Sequence, residues 1–395
     1  MIYWNFIKRN KKPLAKLTFI VFIIISMLTS LVSCIHKKFV ASKKSNTPKE
    51  TVINITGSGD MLYHDIVYGS AWNGERYDFD NDYEYVKPLI SSVDLALGDF
   101  EGTINPNMEL SGYPIFNAPE AVVGSIKDTG FDVIDLGHNH IMDTGLEGLI
   151  YTHDAFENVG ISTIGVNTSK EDPILVKNVK GIKVAILAYS YGYNGLDVNL
   201  SKKEHDYYLK QLDMDKVQKD IGKAEKIADI TVIMPQSGVE YNLQPTEEQK
   251  KNYRQMVDWG ADVIFGGHPH VAEPTETINK DGQKKFIIYS MGNLLSNQRY
   301  ETLENSWTER GVIMQVEITK KGKTTKITNV KAHPTWVSRE EIPGRTFIGY
   351  PAYDYQVLLA EDYIKGGKYA GTRPADQDRI TSAYYEIMDL LNIKW

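Results

Sequence analysis

From Thr51 onward the chain repeats one pattern, a short apolar run that ends in glycine and polar residues. Runs at 52–56, 93–97 and 133–136 stop before Gly57-Ser58-Gly59-Asp60, Gly98-Asp99-Phe100-Glu101 and Gly137-His138-Asn139-His140. Runs at 184–188, 230–234, 263–265 and 286–289 stop before Tyr189-Ser190-Tyr191, Pro235-Gln236-Ser237-Gly238, Gly266-Gly267-His268 and Ser290-Met291-Gly292-Asn293. Continuous apolar runs separated by stretches of helical character predict buried strands in an α/β architecture.

The intervening segments carry helix punctuation. Thr246 and Gln249 form a capping box for a helix over 247–259 that Gly260 closes. Asn117-Ala118-Pro119-Glu120 opens a second that ends at Gly130, and 145–158 with Gly160 behind it is a third. Segments 311–319 and 324–331 read as β-branched strands, and a helix over about 379–392 closes the chain. A tail of strands after a βα series predicts a second sheet packed on the first.

The first fifty residues obey other rules. Residues 17–33 are apolar or small without a charge, preceded by Lys8, Arg9, Lys11, Lys12 and Lys16, which together make a membrane-insertion signal. Leu31-Val32-Ser33-Cys34 resembles a bacterial lipobox, in which the cysteine is lipidated after cleavage; the alternative is a retained single helix. Both place the following domain outside the cytoplasm, because the positive cluster stays inside. The chain therefore divides into a signal or anchor over 1–34, a polar tether over 35–50 and one domain over 51–395. Cys34 is the single cysteine, which excludes an intramolecular disulfide and any multi-thiolate metal site. With 44 basic against 51 acidic residues and a net charge of -7, the composition also argues against nucleic acid as a partner.

In open α/β sheets the carboxyl ends of strands gather at one edge. The residues collected there are Asp60, Asp99 with Glu101, Asn139 with His140 and Asp143, Gln236 with Glu240, His268 with His270, and Asn293. Carboxylate, amide and imidazole in that mixture suit hard or borderline divalent ions. Pro269 predicts an extended backbone at His268, so a bend is needed to bring both imidazoles of His268-Pro269-His270 to one place. His138 reads as a structural histidine, and Asp143 as the group that orients His140 through its second ring nitrogen. Tyr189 to Asn194 reads as a pocket wall.

These motifs, in this order over about 52–300, resemble the CapA family of bacterial capsule biosynthesis or poly-gamma-glutamate synthesis proteins, whose domain is related to calcineurin-like metallophosphoesterases. The resemblance implies a metallophosphoesterase-like two-sheet sandwich flanked by helices in four layers. It implies metal ligation by Asp60, Asp99, Glu101, Asn139, Gln236, His268 and His270, with the two histidines divided between two ions, and catalysis by His140 with Asp143. The ions expected are Mn or Mg, with Zn as an alternative. Two departures from the family pattern stand out: Gln236 replaces a customary histidine, and Gly267 replaces another. An amide oxygen disfavours zinc relative to manganese or magnesium.

The function implied is a membrane-anchored factor in synthesis or export of capsular poly-gamma-glutamate, with the polyanionic polymer and membrane-bound synthase subunits as partners. Two other readings stay open, a non-catalytic protein that guides polymer or organises the synthase, and a secreted metal-dependent phosphoesterase unrelated to capsule. A protein of net charge -7 needs divalent ions or a basic groove to hold an acidic polymer, and Lys87, Lys127, Arg254, Arg299 and Arg310 are the candidates for such a groove. Ordinary surface solvation is the plainer reading of all five.

Overall fold

The computed structural model describes residues 11–42 and 50–395. Two units result, one through residue 49 and one over Glu50–Trp395. The first is the helix Lys11–Ser42, whose stretch Phe19–His36 is long and apolar enough to cross a membrane, with a mean hydropathy of 2.3. That helix runs past the apolar segment, so the expected tether is helical through Ser42. Lys8, Arg9 and tether residues 43–49 lie outside the described residues.

The second unit contains two sheets. The first joins, in spatial order, β14 (Tyr350–Leu359), β13 (Thr324–Phe347), β12 (Arg310–Lys321), β1 (Glu50–Met61), β2 (Leu95–Phe100), β3 (Val133–Asp135) and β4 (Ser162–Ile164), with β11 (Asn293–Leu295) on the end of β1. The second runs β5 (Leu175–Val179), β6 (Ile182–Ser190), β7 (Ile230–Gln236), β8 (Val263–Phe265), β10 (Gln283–Ile288) and β9 (Thr275–Lys280). The expectation that the C-terminal strands build the second sheet is therefore corrected: they extend the first, and the second begins in mid-chain at β5. The reason lies in β1. Its free edge is long enough to take β12 antiparallel from Glu50↔Lys321 to Gly57↔Met314, and β13 and β14 follow as a meander.

Side-chain alternation assembles the layers. In β6, Ile182, Val184, Ile186 and Ala188 point between the sheets, where they meet Ile53, Ile55, Leu95, Leu97 and Val133 of the first. The intervening Ala185, Leu187 and Tyr189 point outward, against Val217 and Ile221 of the helix Met214–Ile227 and Tyr253, Met256 and Val257 of the helix Glu247–Trp259. On the far side of the first sheet, Ala96, Phe100, Ile134 and Leu136 pack on the helices Ala121–Thr129 and Gly145–Asn158. Each wholly buried Val, Leu, Ile or Phe is worth roughly 1.5–3 kcal/mol, so the order helices, sheet, sheet, helices is fixed by where each strand's two faces can be covered.

Several predicted boundaries hold. Thr246 Oγ1 accepts from Gln249 N (3.1 Å) while Gln249 Oε1 accepts from Thr246 N (3.2 Å), the reciprocal cap read from the sequence. The closing helix spans Gln377–Leu391.

Candidate metal centre

Strands β1, β2 and β3 are parallel neighbours whose carboxyl ends meet at one edge, and β11 joins β1 there through its first residue, Asn293. Register sets the chemistry there: Asn293 pairs with Asp60, Asp60 with Asp99, and Asp99 with Asp135. Paired positions on adjacent strands share a face, and the alternation through Leu97 and Val133 puts this row on the face between the sheets. A second row opposes it, in which Ser190 pairs with Gln236 and Gln236 bridges to Gly267. The rows touch where Gln236 Nε2 donates to Asp99 Oδ2.

Two glycines make room. A Cβ at Gly59 would lie 1.7 Å from the Gly292 carbonyl oxygen, so only glycine lets β11 approach the strand that carries Asp60. A Cβ at Gly267 would sit 3.0 Å from Gln236 Nε2, 3.1 Å from Asp60 Oδ1 and 3.4 Å from Asp99 Oδ2, so the missing side chain leaves a cradle among polar atoms.

Glu101 follows Asp99 by two residues and keeps its face, anchored by its N–H to the Met61 carbonyl (3.2 Å). Asp60, Glu101 and His270 each bring a ligand atom within 4.8 Å of the others, the one such trio of His, Cys, Asp or Glu among the described residues. His270 Nδ1 lies 3.0 Å from Asp60 Oδ2 and 3.1 Å from Asn293 Oδ1, and its Nε2 lies 3.8 Å from Glu101 Oε1. The extended backbone expected of His268 is not found. Its φ is +94° and that of His270 is +57°, a left-handed bend at both histidines that non-glycine residues adopt only where surrounding contacts enforce it. This bend brings the two rings to 6.1 Å between centroids and sets His268 against Tyr191 at 4.4 Å.

At the edge of the cluster, His140 Nδ1 and Asp143 Oδ2 are 2.8 Å apart, and the same carboxylate oxygen accepts from Phe116 N at 2.6 Å. The edge of the Phe116–His140 ring pair, 4.8 Å between centroids, braces the imidazole. His138 Nδ1 accepts the His140 backbone N–H (3.2 Å), and its Nε2 is buried without a hydrogen-bond partner. Asn139 Nδ2 donates to Asn194 Oδ1 at 3.3 Å, which leaves its own oxygen free.

Burial dominates the electrostatics. It pushes the carboxyls of Asp99, Glu101 and Asp135 well above the usual range; repulsion from Asp135 and Asp60 adds to it at Asp99, and repulsion from Asp60 and Asp99 adds to it at Glu101. Burial lowers His268 to about 3, keeping that imidazole neutral. The unpaired atoms fit a cation: Asp60 Oδ1, Asp99 Oδ1, both Glu101 oxygens, Asp135 Oδ2, Asn139 Oδ1, Gln236 Oε1 and His268 Nδ1 are buried without a hydrogen-bond partner. Buried acceptors facing one another without donors are costly, and a divalent ion is what removes that cost while letting the carboxylates ionise.

The predicted ligand and catalytic residues Asp60, Asp99, Glu101, Asn139, His140, Asp143, Gln236, His268 and His270 thus fall at this one edge of the two sheets. Two buried acids close to the centre escaped the sequence reading. Asp135 was hidden inside an apolar run taken through Leu136, and only its register with Asp99 reveals it. Glu273 is buried beyond His270, accepts from Gln249 Nε2 (2.7 Å) and is pushed up to about 8 by burial. The suggested basic groove is not assembled. Arg254 pairs with Glu276 (3.0 Å), Arg299 with Glu301 (2.6 Å) and Arg310 with Glu386 (2.7 Å), while Lys127 reaches the Gly160 carbonyl (3.4 Å). Lys87 is exposed on the short helix Lys87–Ile90.

Fold and site together define an α/β sandwich with a buried centre of carboxylate, amide and imidazole groups whose unpaired acceptors suit a metal ion. Residues 54–298 match the family described as bacterial capsule synthesis protein PGA_cap, and the chain belongs to that family, the CapA proteins. It is 28% identical over 359 residues to the PGA biosynthesis protein CapA of Bacillus subtilis (strain 168), covering 86% of this chain and 88% of the relative. It is 28% identical over 315 residues to the capsule biosynthesis protein CapA of Bacillus anthracis, covering 76% and 73%. Among solved structures it resembles the calcineurin-like phosphoesterase YfkN from Bacillus subtilis, at 15% identity and a TM-score of 0.42 over 72% of this chain and 91% of that one.

Proposed function

We propose that the protein is a membrane-anchored, extracytoplasmic factor in the synthesis or export of capsular poly-gamma-glutamate, working beside membrane-bound synthase subunits, and that its metal centre performs hydrolysis. The observation that carries the chemical part is the facing of the Asn293–Asp60–Asp99–Asp135 row by Gln236 and Gly267, with the His140–Asp143 pair at its edge. Asp60, Glu101 and His270 would hold one divalent ion, and Asp99, Gln236, Asn139 and His268 would contribute to a second. Such an ion would supply Lewis acidity and the positive charge that an acidic substrate needs, since Arg254, Arg299 and Arg310 are already paired with carboxylates. Asp143 fixes the His140 ring through Nδ1 and so leaves Nε2 to pass a proton to a leaving oxygen. The tyrosine rings of Tyr191 and Tyr241 shield the two histidines from bulk water.

His140→Ala is expected to keep its metal and lose about 10²- to 10⁴-fold in turnover of a generic phosphodiester with manganese, together with polymer output in cells. Asp60→Asn should lose metal and output together. Unchanged polymer output from a stable His140→Ala protein would end the hydrolytic proposal and leave the capsule role standing. One observation favours the non-catalytic reading: Gln236 donates its amide to Asp99, so two of the expected ligands partner each other without an ion.

The anchor is proposed to be a lipid on Cys34, which is exposed. Mass spectrometry of the membrane-extracted protein should show a chain that begins at a diacylated Cys34; an intact N-terminus with a free thiol would establish the retained helix instead.

A further inference from the structure

Away from the metal centre, a cleft of about 470 Å³ separates the turn Asp80–Tyr83 from the β13–β14 hairpin. We propose that this cleft is a second, independent cation site that takes a hard divalent ion of the calcium type and fastens the hairpin to the body of the domain.

The first observation is Asp82. It lines the cleft, is only 6% exposed, and its Oδ2 is buried without a partner. A buried carboxylate oxygen with no donor needs either a proton or a cation. The second is the company it keeps. Asp78, Glu340, Glu341 and Asp354 line the same cleft, with neither histidine nor cysteine among the lining residues. An oxygen-only donor set of carboxylates and amides selects calcium or magnesium over zinc-like ions, in contrast to the imidazole-bearing centre.

Charge narrows the occupant further. Asp78 is paired with Arg76 (3.0 Å) and Glu340 with Arg373, whereas Arg345, the one cation in the lining, gives its Nη2 to the carbonyls of Ser70 (2.8 Å) and Trp72. Three carboxylates, Asp82, Glu341 and Asp354, then face one guanidinium, and a single divalent ion cancels the remaining charge of minus two. Asn81 Nδ2 donates to Asp354 Oδ1 at 3.2 Å and already ties the two walls.

The backbone is shaped for the purpose. Between Glu341 and Thr346 the β13–β14 register slips, so that five steps on β13 answer two on β14, from Tyr353 to Pro351. The extra residues bulge and turn Glu341 and Arg345 into the cleft. These oxygens are less closely gathered than those of the metal centre. An ion here keeps part of its water, and its Kd falls in the 10⁻⁴–10⁻³ M range of extracellular calcium modules.

The test is equilibrium dialysis of the full chain in detergent against radioactive calcium at about 1 mM, near the expected Kd. Wild type should bind one calcium more at saturation than Asp82→Asn, Glu341→Gln should weaken that same site severalfold, and His270→Ala should retain it. Glu341 is exposed, so its variant decides the matter if Asp82→Asn does not fold. Equal calcium binding by wild type and Glu341→Gln, or loss of the extra calcium in His270→Ala, would overturn the proposal. The second result would assign the ion to the metal centre.

Discussion

Gly267→Ala is expected to yield a folded protein that has lost most of its metal. The φ of Gly267 is outside the left-handed region, so alanine costs little in the backbone, and the added Cβ meets the ends of side chains at 3.0–3.4 Å, not main chain. Gln236, Asp60 and Asp99 can move by the few tenths of an ångström that relieve such contacts. A divalent ion cannot share the space. It needs oxygens at about 2.0–2.2 Å, and the methyl group occupies the cradle they surround. We expect metal affinity to fall by at least about 10–100-fold, the loss typical when ligand orientation is disturbed, with a thermal midpoint of the metal-free protein close to that of wild type. Elemental analysis after dialysis, with calorimetry of both chelated proteins, separates the two effects. Wild-type metal content in a normally folded Gly267→Ala protein would show that the ions lie elsewhere.

This sensitivity explains what the sequence could and could not disclose. The ligands were legible because each sits just past an apolar strand, and strand ends in a parallel sheet converge whatever the loops do. Asp60, Asp99, His268 and His270 needed no register to be found. Asp135 did: a carboxylate two positions past Val133 looks like part of the run until pairing with Asp99 places it in the row. The second sheet was misassigned for a related reason. Strand 311–319 is equally apolar in either sheet, and what decides is the length of the free edge on β1, a property of pairing and not of composition. The bend at His268 went against the local rule for a residue before proline, which is where strain at a functional site is expected to appear. The basic residues failed as a groove because their partners, Glu276, Glu301 and Glu386, lie up to 76 positions away in sequence.

Chelation is expected to reverse the pH dependence of stability at the centre. Asp99, Glu101 and Asp135 are raised chiefly by burial, with carboxylate repulsion added, while in the unfolded chain they ionise near pH 4. From there up to their folded values the native state binds more protons than the unfolded state, so stability contributed by these groups falls as pH rises. His268 works in the other direction. Its folded value of about 3 lies below the unfolded one near 6.5, so its contribution is lost as pH falls through that interval. The metal-free protein is therefore squeezed from both sides, and its unfolding temperature should decline as pH rises above the range where His268 titrates in the unfolded chain, because the buried carboxyls keep protons that the unfolded chain has already released. A bound divalent ion removes the upper limit, because it pays the carboxylates for ionisation with its own charge. At a hundredfold excess over Kd the gain is about 2.7 kcal/mol per site, largest at the alkaline end where the metal-free form is weakest. Calorimetry from pH 5 to 8.5, with EDTA and with manganese, measures both slopes. If the two preparations melt alike at every pH, the buried carboxylates do not hold metal, and the unpaired oxygens of Asp60, Glu101 and Asp135 must be satisfied by protons they share.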